Sequence, residues 1–352
     1  MKKNARILIL MLAVFGLGVL LCACGGDKSA DSEGDGGGVF STEEKIVCPL
    51  DGLEIDSEDD HGDYVIAVSI DNGADSEPQS GIAAADLLVE VPVEGGINRF
   101  LAVFYHRTPD TIGPVRSARH YMFDVTMGLR APLVHCGASP KAYDLARNGL
   151  VRNIDEMGCP DTFWRDSSRR APHNLYTSYE NLSAKVAERN YDKIALEDCP
   201  SFAFLSDEEV DDLSFGGTDE LTIPYRYKEI SYHWDDENEN YQRYSGGHPH
   251  MDAAADAVVT ADNIAVLYVP NHPLDNEGRL DMVIESGEGL ILQYGNVIKI
   301  NWTLADGEGF TFTDAESGEA VKLIPGKTII QIASPETQAE YSLAATETEE
   351  DD

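Results

Sequence analysis

The body of this 352-residue chain is written in short apolar runs rich in β-branched residues, each cut off by Gly, Asn or Asp, and that punctuation favours strands over most of its length. YVIAVSID, from Tyr64 to Asp71, reads as a buried strand. The loop GADSEPQSG leads to a short alanine-rich helix at IAAAD and a second strand, LLVEVPVE, which the turn Gly95-Gly96 joins to FLAVFYH in a hairpin. SARHYMFDVTMGL predicts a helix capped by Ser117, APLVHCG a further buried strand, and Ser139-Pro140 the opening of the helix KAYDLARN. Residues 64–200 therefore form an α/β domain, a mixed sheet with flanking helices. Residues 201–224 read as an acidic linker. From 225 to 334 helical signals fade, and IPYRYKEISYHWD, NIAVLYVP, GLILQYGNVIKINWTL and TIIQIAS are strands broken by turns, so the second domain is mainly antiparallel β.

The N-terminus sets the compartment. Lys2, Lys3 and Arg6 precede an apolar run from Ile7 to Leu21, then Leu21-Cys22-Ala23-Cys24 and a polar stretch, which is the order of a signal peptide over residues 1–23. A small residue followed by cysteine suits lipoprotein processing, and Cys24 is preferred to Cys22, which follows the bulky Leu21. The expected product is a chain tethered to the outer face of the cell membrane through diacyl lipid of the palmitate kind on Cys24. Residues 24–63 are Gly-, Ser- and acid-rich and read as a flexible stalk, although Cys48-Pro49-Leu50-Asp51-Gly52 has the makings of a turn that docks on the body. Residues 335–352 read as a disordered acidic tail.

The formal net charge is −37, and loss of the signal peptide removes three positive charges and no negative ones, leaving −40. Nucleic acid is excluded as a natural partner, and attachment to an anionic membrane has to come from lipid rather than a basic patch. Against this background residues 99–170 carry ten arginines and Lys141 but seven acidic groups, a local excess of +4. Guanidinium is favoured where a carboxylate or phosphate is gripped by a planar fork, so the island suggests an anion site. Its candidates are Arg99, Arg116, Arg119, Arg165 and Arg169, with His135, His173, Asp71 and Glu94 beside them. The competing reading is a set of internal ion pairs with Asp71, Glu90, Glu94 and Asp166 that binds nothing.

Other chemistry is thinner. GxSxG, HExxH and P-loop patterns are absent, and His135 and Cys136, adjacent on a strand, point to opposite faces. In GGHPHMD, His248, His250 and Asp252 alternate, which lines a metal-binding face if the segment is extended and does nothing of the kind if it is a loop. Cys48, Cys136, Cys159 and Cys199 match no zinc spacing and read as small buried residues with at most one or two disulfides. No cofactor is called for, a divalent metal being the single option.

AVSIDN, ADLLVEVPVEGGINRFLAVF, IGPVRSARHY, VHCGASPKAYDLA, FWRDSSRRAPHNLYTS and GGHPHMD, in this order, resemble the YerB-like lipoproteins, the domain of unknown function 3048 family, from about Tyr64 to Ala333. The resemblance implies a lipoprotein with an N-terminal α/β and a C-terminal β-rich domain, and brings no reaction. A fainter resemblance is to the LytR-CpsA-Psr enzymes, which transfer polyprenyl-pyrophosphate-linked glycopolymers to the wall. It implies Asp71 and Asp86 as holders of a divalent metal and Arg116 and Arg119 as grips on pyrophosphate; Ala85 stands where that family has serine, and no aspartate directly follows Arg119. Three functions are thus expected in turn: a binder of an anionic wall-related ligand, a metal-assisted phosphoryl or glycosyl transferase, and a scaffold for another envelope protein that presents an apolar strip around Trp234, Tyr241 and Tyr244.

Overall fold

The computed structural model describes residues 45–57 and 61–342; the signal peptide, Cys24, the first part of the stalk and the last ten residues lie outside the described residues. The first half supplies β1 (Ile66–Asp71), β2 (Leu87–Pro92), β3 (Asn98–Phe104), α1 (Met122–Gly128), β4 (Leu133–His135), α2 (Pro140–Arg147), β5 (Asn153–Asp155) and α3 (Tyr179–Glu188). The second half adds α4 (Asp207–Asp211), then β6 (Glu220–Ile223), β7 (Ile230–Asp235), β8 (Asn240–Ser245), β9 (Asn263–Tyr268), β10 (Ser286–Gln293), β11 (Asn296–Ala305), β12 (Gly309–Asp314), β13 (Thr328–Ala333) and β14 (Glu340–Tyr341).

Ten of these strands form one mixed sheet in the order β12-β11-β10-β9-β13-β2-β3-β1-β4-β5. The halves meet where β2 runs parallel to β13, Leu87 opposite Thr328 and Glu90 opposite Gln331. Central strands such as β1 and β13 are buried at every residue, which is why they read as continuous apolar runs; β11, nearer the edge, alternates buried and exposed from Ile300 onwards. One face of the sheet is covered by α1 and α2, the other by α3 and by the antiparallel sheet β6-β7-β8. Helices are few and the second half is mostly antiparallel β, as expected from the turn punctuation.

Several local expectations change. IAAAD is a turn, not a helix: Asp86 ends it by accepting the backbone N–H groups of Tyr105 (2.6 Å) and His106 (2.9 Å), which draws the chain straight into β2. The helix expected from Ser117 starts only at Met122, because residues 115–118 are held extended: Arg116 N donates to Ser69 O, and Cys136 N donates to Arg116 O. Ser139 does cap α2, accepting from Ala142 N. Residues 45–57, counted with the stalk on composition, pack on the body, with Cys48, Leu50 and Ile55 in the core and Asp51 buried against Arg107. The acidic stretch 201–224 contains α4, closed by a Ser206/Glu209 capping box, and β6, against which Glu340–Tyr341 of the expected tail pairs.

A buried polar seam ties the halves together. Glu90 in β2 accepts from Arg243 Nη2 (2.6 Å), Gln331 Nε2 (2.8 Å), Asn72 Nδ2 (2.8 Å) and Asn98 Nδ2 (2.9 Å). Arg243, wholly buried, also reaches His250 Nδ1, and His250 Nε2 donates to Gln79 Oε1 at 2.7 Å. The two charges of the seam, Glu90 and Arg243, match each other, as burial of charge requires, although Arg243 Nε and Asn98 Oδ1 have no partner.

Candidate functional site

At the carboxyl ends of the parallel strands β1, β4 and β5, three of the five expected arginines converge. Ligands of open α/β sheets commonly sit at this edge. Asp71 closes β1 and lies opposite Arg99 of β3. Its Oδ2 is 2.9 Å from Arg116 Nε and 2.6 Å from His173 Nδ1, which arrives on the loop after the Trp164–Arg165 strand. Arg119, in the turn before α1, forks onto Glu94 of the β2–β3 turn through Nε (2.8 Å) and Nη2, and donates from Nη1 to Ala118 O. Arg99 is 7% exposed; its Nη1 donates to Ser117 O, its Nε has no partner, and among the described residues no carboxylate lies within 4 Å of its guanidinium.

The electrostatics follow from these placements. Burial, and then the charges of Arg119 and Arg116, pull the pKa of Arg99 down to about 10, so it stays cationic at neutral pH but at a cost. Burial pushes Glu94 up, yet the hydrogen bond and charge of Arg119 outweigh it and leave the carboxyl below its ordinary value. Three guanidinium groups against the two carboxylates of Asp71 and Glu94 leave one positive charge over.

Residues 50–192 match the family model described as protein of unknown function (DUF3048), N-terminal domain, and residues 221–330 match its C-terminal domain. A protein of Bacillus subtilis (strain 168), named "Putative lipoprotein YerB", is 34% identical over 301 residues, which is 84% of this chain and 88% of the relative. The chain belongs to the DUF3048 family. The crystal structure of the YerB protein from Bacillus subtilis superimposes with a TM-score of 0.75 at 30% identity, covering 85% of this chain and all of that one, so the two-part α/β and β-rich fold is shared.

The remaining candidates of this DUF3048 chain lie elsewhere. Arg165 donates to Asn174 Oδ1 (3.1 Å) and stands 3.6 Å from Glu156. Arg169 is spent on the loop before Gln79, donating to Ser76 O (2.7 Å), Pro78 O (2.8 Å) and Glu77 O (3.2 Å) as well as to Tyr176 Oη (2.8 Å). Both border a trough of about 580 Å³ beside Trp164 that none of Arg99, Arg116 and Arg119 lines. His135 is fully buried, with Nδ1 donating to Gly137 O (2.9 Å) and Nε2 accepting from Asn153 (3.0 Å); burial lowers its pKa and it faces no ligand space. Alternation along β4 turns the His135 ring to the buried face where Gly137 and Asn153 engage it, away from the arginines.

The expected metal ligands also separate. Asp71 ends β1 while Asp86 precedes β2, and since these strands run the same way the two carboxylates are a strand length apart, roughly 20 Å. They cannot share an ion. His250 has both ring nitrogens engaged in the seam, and Asp252 caps a turn, Oδ1 accepting from Ala254 N (2.8 Å) and Ala255 N (3.1 Å) and Oδ2 from Ala83 N (2.8 Å). GGHPHMD therefore builds structure rather than a metal face. Of the expected apolar strip Tyr241 is buried, while Trp234 and Tyr244 are half-buried, Trp234 packing edge-on to Tyr241 and against Phe215. Cys48, Cys136, Cys159 and Cys199 are free thiols. No helix among the described residues is long and apolar enough to cross a membrane. Arg107, one of the ten arginines of the island, sits at the opposite end of the sheet from the cluster, paired with Asp51 (2.8 Å) and Asp86 (3.2 Å).

Proposed function

We propose that the protein is a cell-envelope lipoprotein, held at the outer face of the membrane by lipid on Cys24, that binds a phosphate- or carboxylate-bearing wall-related ligand at Arg99, Arg116 and Arg119. The lipoprotein part rests on the signal-peptide pattern and on the name of the Bacillus subtilis relative. The binding part is carried by one observation: Arg99 is buried without a carboxylate partner in a cluster that holds one surplus positive charge. A buried cation without a counter-ion costs stability, and an anion that supplies the missing charge recovers it. Glu94, partly exposed on its turn, occupies Arg119 as an internal carboxylate that a bidentate ligand group can displace.

Native mass spectrometry with phosphorus analysis of the protein as purified tests the reading. The expected result is a phosphorylated or carboxylate-rich sugar-bearing mass that is absent from the Arg116→Ala/Arg119→Ala double variant. A bare mass that stays bare after addition of pyrophosphate and of wall precursors returns the arginines to internal ion pairing.

A further inference from the structure

At the other end of the sheet, the turn Cys48-Pro49-Leu50-Asp51-Gly52 folds as a tight knuckle. Gly52 N donates to Cys48 O (2.8 Å), Cys48 N donates to Leu53 O (2.9 Å), and Gly52 takes φ +68°, which only glycine adopts without strain. Burial and the charges of Asp51 and Asp86 push the Cys48 thiol above its ordinary value, which the backbone N–H groups of Leu50 and Asp51 only partly offset. Cysteine ligates a metal as the thiolate, so the ion itself has to displace the thiol proton. The knuckle is buried under the end of β3, where His106 follows Tyr105.

Cys48 Sγ, a carboxylate oxygen of Asp51 and a ring nitrogen of His106 all lie within 4.8 Å of one another. His106 Nδ1 is a buried nitrogen with no hydrogen-bond partner, 3.8 Å from Asp51 Oδ2. A buried ring nitrogen left idle beside a buried carboxylate calls for a cation or a proton between them. One sulfur, one nitrogen and one oxygen donor form the mixed set that zinc accepts, whereas magnesium and calcium take oxygen donors.

We infer that Cys48, Asp51 and His106 form a binding site for one zinc ion, which pins the N-terminal knuckle to the sheet. The ion takes the place of the Cys48 thiol proton, which leaves to solvent, and the thiolate and the Asp51 carboxylate balance its two positive charges. Arg107, whose Nη1 also lies 2.8 Å from Asp51 Oδ2, keeps Asp86 Oδ1 at 3.2 Å as its own counter-ion. The three donors leave one tetrahedral position, which water fills. This site is independent of the arginine cluster, from which the length of β3 separates it.

The full-length protein, purified under reducing conditions, loaded with zinc and desalted, is expected to hold one zinc per chain by elemental mass spectrometry. Cobalt in its place is expected to show a sulfur-to-metal charge-transfer band and a tetrahedral visible spectrum, which reports ligation without any variant. Cys48→Ser and His106→Gln are each expected to weaken zinc binding at least tenfold, with circular dichroism checking that each variant is folded. A cobalt spectrum without sulfur ligation, no zinc above background, zinc retained in the folded double variant, or Cys48 found in a disulfide in the protein as isolated overturns the assignment.

Discussion

Arg243 and Arg99 are both buried guanidinium groups, and both have an Nε without an acceptor, yet their surroundings differ in kind. Arg243 has Glu90 at 2.6 Å, the Phe100 ring 5.1 Å away and a carboxylate that is itself held by three side-chain amides. Arg99 has Arg119 and Arg116 as like-charged neighbours and one backbone carbonyl in contact, while Glu94 and Asp71, the nearby carboxylates, act on it only from beyond 4 Å and are paired with Arg119 and Arg116. A charge network that closes on itself is architecture, and here it joins the two matched domains. One that ends with a cation to spare, at the carboxyl ends of parallel strands, has the electrostatics of a site awaiting an anion. An orphaned Nε does not tell the two apart; the missing carboxylate does.

The largest effect that tests this contrast is Arg243→Ala. It strands Glu90 in the seam without its cation and is expected to cost about 3–5 kcal/mol in urea unfolding, whereas Arg243→Met with Glu90→Leu, which removes both charges, costs much less than the sum of the single changes. Equal costs for the double variant and that sum would mean that the pair is not coupled and the seam is not closed.

The seam also predicts an acid limb. Burial, then the charges of Arg243 and Lys228, hold His250 neutral with a pKa well below 6.5. Its folded pKa is depressed, so its contribution is present above the unfolded value of 6.5 and is lost as pH falls below it, at up to about 1.4 kcal/mol per pH unit for one proton. His250→Gln is expected to flatten the stability profile between pH 6.5 and 5 by one proton. An unchanged slope would show that the ring is protonated in the fold. His135, also lowered by burial, leaves a residual slope in the variant.

Arg99→Met reverses the pattern of Arg243→Ala. Removing an unmatched buried cation while keeping the stem is expected to change stability by less than about 1 kcal/mol and to lower affinity for pyrophosphate at least tenfold in calorimetry, about 1.4 kcal/mol. A stability loss as large as that of Arg243→Ala would mean that Arg99 has a structural counter-ion after all.

How far these roles could be read beforehand depends on the range of the contacts behind them. β1 and β13 were legible because burial on both faces writes an unbroken apolar run, and the Ser139 cap because its partner is three residues away. The late start of α1 was not, since what holds residues 115–118 extended is Ser69 and the chain after β4. The parallel pairing of Leu87–Pro92 with Thr328–Ala333 joins segments too distant for any local signal. Composition located an arginine-rich island but could not say which members had partners. Arg99, Arg116 and Arg119 come together because the β2–β3 hairpin and the Ser69–Arg116 contact bring their backbones to one edge, while Arg107 leaves from the opposite end of β3. In GGHPHMD His248 is exposed, whereas the buried His250 and Asp252 found partners in the first half of the chain, Gln79 for His250 and Ala83 for Asp252.

Arg165 and Arg169 give the smallest expected change and define where the cluster ends. Arg165 is about half exposed, and its 3.6 Å contact with Glu156 is a surface ion pair. Such pairs contribute about 0–1 kcal/mol, so Arg165→Ala should fall in that range and leave pyrophosphate affinity within about twofold of the parent protein. Arg169→Ala releases four loop carbonyls, those of Asp75, Ser76, Glu77 and Pro78, and is expected to cost more, about 1–2 kcal/mol, again without loss of affinity, because the clamped loop and not the anion is its partner. If either variant lost binding as Arg99→Met does, the trough beside Trp164 and the arginine cluster would have to be one continuous site, and the boundary between matched and unmatched charge would move outward to include them.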